Sequence, residues 1–321
     1  MSGEWLILHG GALGDLVLTM QLALRLPRIG DTETLRIISR TNPGDLSTCR
    51  PHIARQSSEG LGLHWLFSDH DDPPPERLRQ AVRGAHVLSA LGGVHTIPHH
   101  RLAALEPAAL YSIDPRPREG VPRHIVQQWQ TQLEAQGILV PKCIHQHPAQ
   151  RGLGVPETLR QRGAALLRGS DRGGLPVVIH PGSGGRSKCW PLPAFVQVAR
   201  QLRQEPCVSV CFIAGPVELE TWSPAELDTL AAEFPVLHGP PPDELAAILT
   251  ATRVLVGNDA GPLHLATLLG TPTVTIFGPT AASVWRPLGV GAHVITGNPG
   301  AEPDTWGIDP AQVVSLVLKC L

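Results

Sequence analysis

Short apolar runs recur along the chain, and most are followed by a segment whose apolar positions fall at helical spacing. In the first half, Trp5–His9, Leu35–Ser39, Leu61–Phe67, His86–Leu91 and Leu110–Ile113 read as strands. Helices are predicted between them at Asp15–Leu26, Glu76–Arg83 and Arg123–Gln136. The stretch from Thr41 to Gly60 has no clear period and receives no assignment. From Gly137 to Gly154, prolines and glycines replace the pattern, as in a linker. The alternation then restarts with strand Pro176–His180, helix Leu192–Gln204, strand Val208–Ala214, helix Pro224–Glu233, strand Val236–His238 and helix Asp243–Thr250. Strand Arg253–Val256 follows, then a helix opening at Pro262 and closed by Gly270, strand Thr273–Phe277 and a terminal helix Pro310–Leu318. Such alternation builds parallel sheets with helices on both faces. Two halves of this kind predict an α/β protein of two Rossmann-like domains, residues 1–150 and 151–321, facing a central cleft. Ligands of these sheets sit at the carboxyl ends of strands, so the loops there are the places to look for chemistry.

Composition narrows the field. With 321 residues the chain has room for one or two substantial cores. Its hydrophobic content is 42% and its mean hydropathy is close to zero, as in soluble globular proteins. A net charge of −2 offers no basic field for nucleic acid. No apolar stretch is long enough to span a bilayer. The N-terminus lacks a positive region before its apolar run and reads as a strand, not a signal peptide. None of the six cysteines forms a Cys-x-x-Cys pair, which suits a reducing cytoplasm and no zinc site. The basic residues are nearly all arginine, which singles out the three lysines, Lys142, Lys188 and Lys319.

Three loops carry candidate chemistry. HGGALGD, His9 to Asp15, follows the first strand and lacks the Gly-x-Gly-x-x-Gly dinucleotide pattern. Asp15 there reads either as a helix N-cap or as a general base. HPGSGGRSKCWP, His180 to Pro191, gathers glycine, serine, Arg186 and Lys188 between strand and helix. It is not a P-loop, yet its composition is that of a phosphate site, with Ser183 as a hydroxyl donor, backbone N–H groups near Gly184 and Lys188 as a compact charge. A flexible surface turn is the plain alternative, against which Trp190 and Pro191 anchor the loop's end. GNDAGPLHLATLLGTPTVTIFGPT, Gly257 to Thr280, places Asp259, Ala260 and Gly261 before a helix whose N–H groups and dipole favour an anion. Asp259 reads as a cap or a ligand neighbour, His264 as a packed side chain or a site residue. Glu218, after strand Val208–Ala214, reads as an exposed helix-start acid or a partner for ribose hydroxyls. His95, His99 and His100 form a cluster whose spacing, with Pro98 inside it, fits no standard metal set. His95, after Gly92-Gly93, could equally face an acceptor.

Taken together, HGGALGD, HPGSGGRSKCWP and GNDAGPLHLA…FGPT resemble glycosyltransferase family 9, whose best-known members are ADP-heptose:lipopolysaccharide heptosyltransferases. The resemblance is strongest from His180 to Thr280 and weakest from Thr41 to Gly120. It implies a GT-B fold, with acceptor on the N-terminal domain, nucleotide sugar on the C-terminal one, and a terminal helix 310–318 crossing back onto the first domain. It gives Asp15, beside Gly14, the role of base and Lys188 that of diphosphate ligand. Ser183 and Gly184 fall on the phosphates, Asp259, Ala260, Gly261 and His264 around diphosphate and sugar, and Glu218 on the nucleoside. Ala260 departs from the serine or threonine of many members, leaving the backbone N–H to serve there. The implied activity is inverting, metal-independent transfer of a sugar, heptose by resemblance, from an ADP-sugar to a glycan or glycolipid hydroxyl. No cofactor is implied beyond the nucleotide-sugar donor. The implied setting is the cytoplasm, with peripheral contact at the inner membrane face. A nucleotide-sugar-binding scaffold and a GT-B-type epimerase remain open, and the missing fingerprint disfavours an NAD-dependent dehydrogenase.

Overall fold

A computed structural model of the chain describes residues 4–26, 34–69, 72–140, 153–168, 173–298 and 306–321. The linker expected from Gly137 to Gly154 lies largely outside the described residues. The chain forms two compact units, Met1–Gly154 and Val155–Leu321.

The first unit holds a five-stranded parallel sheet of β1 (Trp5–His9), β2 (Thr34–Ser39), β3 (His52–Ser57), β4 (His86–Ala90) and β5 (Ala109–Ser112), in the order β3-β2-β1-β4-β5. β1 is buried at every position, as expected of a strand covered on both faces. Helices α1 (Leu13–Ala23), α2 (Glu76–Val82), α3 (Ile97–Ala103) and α4 (Ile125–Glu134) connect and cover the strands. One expectation is corrected and one unassigned stretch is filled. Leu61–Phe67 is not a strand: Leu63–Phe67 is a 3-10 helix that buries Leu63 and Leu66, three residues apart, after Gly62 turns the chain at φ 71°. The unassigned stretch from Thr41 to Gly60 contains β3, an edge strand whose mixed sequence HIARQS hides the pattern. At the opposite edge, Gln132 in α4 and Gln136 just beyond its end stand in for a missing neighbour strand. Gln136 accepts from the Ser112 N–H at 2.9 Å and donates to its carbonyl at 2.8 Å. Gln132 does the same for Asp114, at 2.8 and 3.3 Å. Spaced four apart on one helical face, the amides satisfy a β edge that would otherwise be left open.

The second unit holds β6 (Leu175–His180), β7 (Val208–Ala214), β8 (Val236–His238), β9 (Val254–Asn258), β10 (Thr273–Phe277) and β11 (Ala292–Thr296), parallel and ordered β11-β10-β9-β6-β7-β8. Its helices are α5 (Glu157–Leu167), α6 (Leu192–Leu202), α7 (Pro216–Thr221), α8 (Pro224–Glu233), α9 (Pro242–Ala251), α10 (Gly261–Leu268), α11 (Ala282–Trp285) and α12 (Pro310–Leu318). Counted within each unit, both sheets start in the middle: the first runs 3-2-1-4-5 and the second 3-2-1-4-5-6, the Rossmann order. The strand order reverses between β1 and β4 and between β6 and β9, and crevices for ligands open at such points. Within the second unit, Val313, Val314 and Val317 of helix α12 are buried in the core with Phe195, Val198 and Leu202 of α6. The Arg253 guanidinium also donates to the Leu321 carbonyl at 3.1 Å.

Helix α5 escaped the sequence reading, and its packing rests on a glycine. A methyl on Gly163 would lie 1.9 Å from the Ala247 carbonyl oxygen of α9. Gly163→Ala must push the two helices apart, at a cost of about 1–3 kcal/mol. The expected result is a lower urea midpoint with unchanged slope; an unchanged midpoint would show that the helices do not meet there.

Candidate functional site

In the second unit, β6 and β9 pair side by side, with His180 opposite Gly257. The loop after β6 and the turn after β9 therefore emerge together at the strand-order reversal. Asn258, fully buried, joins them: its Oδ1 accepts from the Trp190 N–H at 2.9 Å and its Nδ2 donates to the Pro181 carbonyl at 2.6 Å. Those contacts hold both ends of the HPGSGGRSKCWP loop. Trp190 is 1% exposed and packs edge-on to Phe195, as its anchoring role requires. Gly257 admits no side chain, since a methyl there would lie 2.4 Å from the His180 carbonyl oxygen.

The fastened ends leave the middle of the loop open. Gly184, Arg186, Ser187 and Lys188 are exposed, and Arg186–Lys188 forms a single 3-10 turn. Methyl groups on Gly184 or Gly185 would meet nothing within 4 Å, and Gly185 is extended at φ −174°. Packing does not require glycine at either position, so the bare backbone there is free for the close approach of a ligand. Ser183 sits differently from its expected place on phosphate. It is buried, and its hydroxyl donates to the Asp259 carbonyl at 2.7 Å, tying the loop to the β9 turn.

Helix α10 begins after Ala260, an extended N-cap residue with no side-chain cap, and Pro262 occupies its first turn. Asp259 is thus not the cap of this helix. Its Oδ1 lies 3.6 Å from Nε2 of His264, and the two side chains are 12% and 4% exposed. Nδ1 of His264 has no hydrogen-bond partner among the described residues. Glu218 is not the exposed acid considered from sequence. It is 2% exposed, accepts from the Gly215 N–H at 2.7 Å, and fills the space beside Gly182, where a methyl would lie 1.6 Å from Oε1. Burial raises its pKa, with the backbone hydrogen bonds of Gly215 and Glu218 pulling the other way.

In the first unit, Asp15 stands in the first turn of α1 behind Ala12, an N-cap residue without a side-chain cap. Asp15 is therefore not the N-cap residue of α1. Its carboxylate is half-buried beside Gly11, with Oδ2 3.3 Å from where a methyl on Gly11 would be. Gly14, within α1, is also half-buried. The Thr41 hydroxyl holds the Gly11 carbonyl at 2.8 Å. His9 is buried, and its Nδ1 accepts the Gly11 N–H at 3.2 Å. Among the histidines of α3 and its approach, His99 Nδ1 meets the Ser112 hydroxyl at 2.8 Å. Burial, followed by the charges of His100 and His95, lowers the His99 pKa. Among the described residues no group of three His, Cys, Asp or Glu side chains could hold a metal ion. No sequence pattern signals the parts played by Asn258, His9 and His180, because each acts through contacts to backbone that only the fold brings near.

Two Rossmann-like units with glycine-rich loops at both strand-order reversals define a GT-B type protein. A family model for glycosyltransferase family 9 (heptosyltransferase) matches residues 79–310, and the chain belongs to that family. Lipopolysaccharide heptosyltransferase 3 of Escherichia coli is 28% identical over 123 residues, covering 35% of this chain and 33% of that protein. Lipopolysaccharide heptosyltransferase 2 of Escherichia coli strain K12 is 28% identical over 120 residues, again with 33% of its length matched. The chain thus spans about a third of the length of these curated relatives in the matched regions. Three solved structures share the fold across nearly the whole chain. A glycosyl transferase family 9 protein from Veillonella parvula has a TM-score of 0.69 at 17% identity, with 99% of this chain and 97% of that one covered. Escherichia coli ADP-heptose lps heptosyltransferase II gives 0.68 at 18% identity, with 99% and 98% covered. Escherichia coli heptosyltransferase WaaC with ADP gives 0.65 at 17% identity, with 99% and 100% covered.

The buried histidines of the two loops set a pH dependence. Desolvation lowers the pKa of His9 and of His180 from 6.5 to about 4. Between those values the unfolded chain binds more protons than the folded one. Stability therefore falls as pH drops through this window and levels off below it, by about 1.4 kcal/mol per pH unit for each ring. In urea titrations from pH 7 to pH 4.5, His180→Asn should lose stability less steeply than wild type. Parallel curves would show that His180 does not contribute.

Proposed function

We propose that the chain is an inverting glycosyltransferase that moves a sugar, heptose by family, from an ADP-sugar to a hydroxyl of a glycan or glycolipid. The observation that carries this reading is the fastened β6 loop, which exposes Lys188 and bare backbone at Gly184 and Gly185 beside the uncapped start of α10. Backbone N–H groups, a helix dipole and one ammonium suit a diphosphate. Family membership supports the reaction class, and the fold relative WaaC is described with ADP and with ADP-2-deoxy-2-fluoro heptose.

In the reaction, Asp15 takes the proton of the acceptor hydroxyl. That oxygen bonds to the anomeric carbon as the bond to the diphosphate oxygen breaks on the opposite face, inverting the configuration. A single base suffices because no covalent sugar–enzyme intermediate forms, as in inverting glycosidases. The departing ADP gathers negative charge, met by Lys188 and the N–H groups at Ala260–Gly261. These groups do the work for which other transferases recruit a metal ion. Asp259 and His264 border the diphosphate and sugar from the start of α10, and Glu218 holds the loops that flank the nucleoside. The proposed setting is the cytoplasm, with peripheral contact at the membrane face where a lipid-linked acceptor would be met. No helix among the described residues is long and apolar enough to cross a membrane.

A thermal-shift screen of ADP-, UDP- and GDP-sugars tests the donor, with stabilisation by the ADP compounds expected. Asp15→Asn should lower kcat by about 10²–10⁴-fold while ADP binding is kept. Lys188→Ala should weaken ADP binding and lower kcat by about 10²-fold. Turnover of Asp15→Asn near the wild-type rate would remove the base assignment. Stabilisation by a dinucleotide alone would remove the whole reading.

A further inference from the structure

The two units repeat one local device that the reaction as written does not use. β1 ends in His9-Gly10-Gly11 and β6 ends in His180-Pro181-Gly182. In each, Nδ1 of a buried histidine accepts the N–H of the glycine two residues on, at 3.2 Å in both cases. Each imidazole also faces a carboxylate across a glycine. A methyl on Gly11 would lie 3.0 Å from His9 Cε1 and 3.3 Å from Asp15 Oδ2. A methyl on Gly215 would lie 3.9 Å from His180 Cε1 and 2.9 Å from Glu218 Oε2. The two histidines are 1% and 6% exposed, so neither ring is placed to bind a ligand itself.

We propose that His9 is a positioning residue for Asp15, and that His180 is the matching positioning residue for the phosphate loop. The inference rests on the functional reading above, in which Asp15 is the base and the β6 loop holds the donor diphosphate. The chemistry follows from the ring's tautomer. A neutral imidazole whose Nδ1 accepts a hydrogen bond carries its proton on Nε2. Held this way, His9 fixes the Gly11 peptide and closes one side of the space in which the Asp15 carboxylate can turn. A cation at this place would ion-pair with Asp15 and weaken it as a base, whereas a buried neutral ring confines the carboxylate without that loss. Burial favours the neutral ring at both positions. His180 orients Gly182 and, through it, the segment leading to Ser183, Gly184 and Lys188, while Glu218 closes the space on the other side of Gly182.

The two histidines should therefore separate in kinetics. His9→Leu keeps bulk but removes the acceptor, and should lower kcat by about tenfold or more with donor KM within about twofold. His180→Leu should raise donor KM and the ADP dissociation constant by about fivefold or more, with a smaller change in kcat. Asparagine presents Oδ1 where Nδ1 stood, so His9→Asn and His180→Asn should each restore most of the loss. A readout free of turnover uses histidine labelled at ¹³Cε1 in the full chain: Asp15→Asn should shift the His9 signal, and Lys188→Ala should leave it in place. If His9→Leu does not fold, His9→Asn and the labelled ring carry the test. Wild-type kcat in His9→Leu, alongside an inactive Asp15→Asn, would overturn the positioning role alone. A His9 signal unmoved by Asp15→Asn would overturn it as well. Full activity in Asp15→Asn would instead remove the base assignment on which the inference rests.

Discussion

One buried amide holds the loop after β6 in shape. Asn258 gives its oxygen to the Trp190 N–H and its nitrogen to the Pro181 carbonyl, so both ends of a ten-residue passage hang from a single side chain. Each bond contributes about 1 kcal/mol net, but leaving the buried partners unpaired would cost about 1–3 kcal/mol apiece. The neighbouring backbone makes the arrangement unforgiving. Gly257 touches the His180 carbonyl, and Ser183 bonds the Asp259 carbonyl. With its ends tied at three points, the loop can leave Gly184 to Lys188 in solvent without losing its form. Exposure of the loop's middle is thus a consequence of how completely the flanks are buried.

The sequence made the framework legible where burial was two-sided. β1, β7, β9 and β10 are buried throughout, and their mostly apolar, β-branched-rich runs read readily as strands. Legibility failed where one face met solvent or where tertiary contacts supplied the partner. β3 is an edge strand with polar residues on its open side, and Leu61–Phe67 alternates in composition yet buries residues three apart. Helix α7 is capped by Glu218 from its own first turn, so an acid that looked available for ribose is turned inward. Glycine and serine content singles out the loop after β6, but it cannot tell which serine is spent on the protein itself. Ser183 shows the limit: its hydroxyl type suits phosphate, and the fold uses it to join two loops.

The start of α10 has no side-chain cap. Ala260 carries no group that could serve, and Asp259 does not take over. Its carboxylate instead lies near His264, one helical turn on. An uncapped first turn leaves backbone N–H groups with unmet demand. That would be a defect in a purely structural helix, worth about 1 kcal/mol by comparison with capped ones. It is tolerable where a bound anion completes the cap, and the absence of a side-chain competitor then favours the ligand. The alanine leaves no internal rival for those N–H groups.

The placement of charge follows the same logic. A chain of net charge −2 has no general attraction for a diphosphate, so the attraction must be built locally. The carboxylates near the loop are withdrawn. Glu218 is buried on Gly215 with its pKa raised, and Asp259 is nearly covered beside His264. The cations are treated in the opposite way: Arg186 and Lys188 stand exposed on the same short turn. Arg186 donates to the Thr221 carbonyl at 3.2 Å, which holds it against α7, while Lys188 is the more compact charge. A phosphate approaching Gly184 would therefore meet backbone N–H groups and ammonium before it met any carboxylate. In a chain so poor in lysine, keeping one at this turn is intelligible on physical grounds. A guanidinium is a broad, planar fork, whereas an ammonium can follow charge as it moves from a bridging oxygen onto a leaving group.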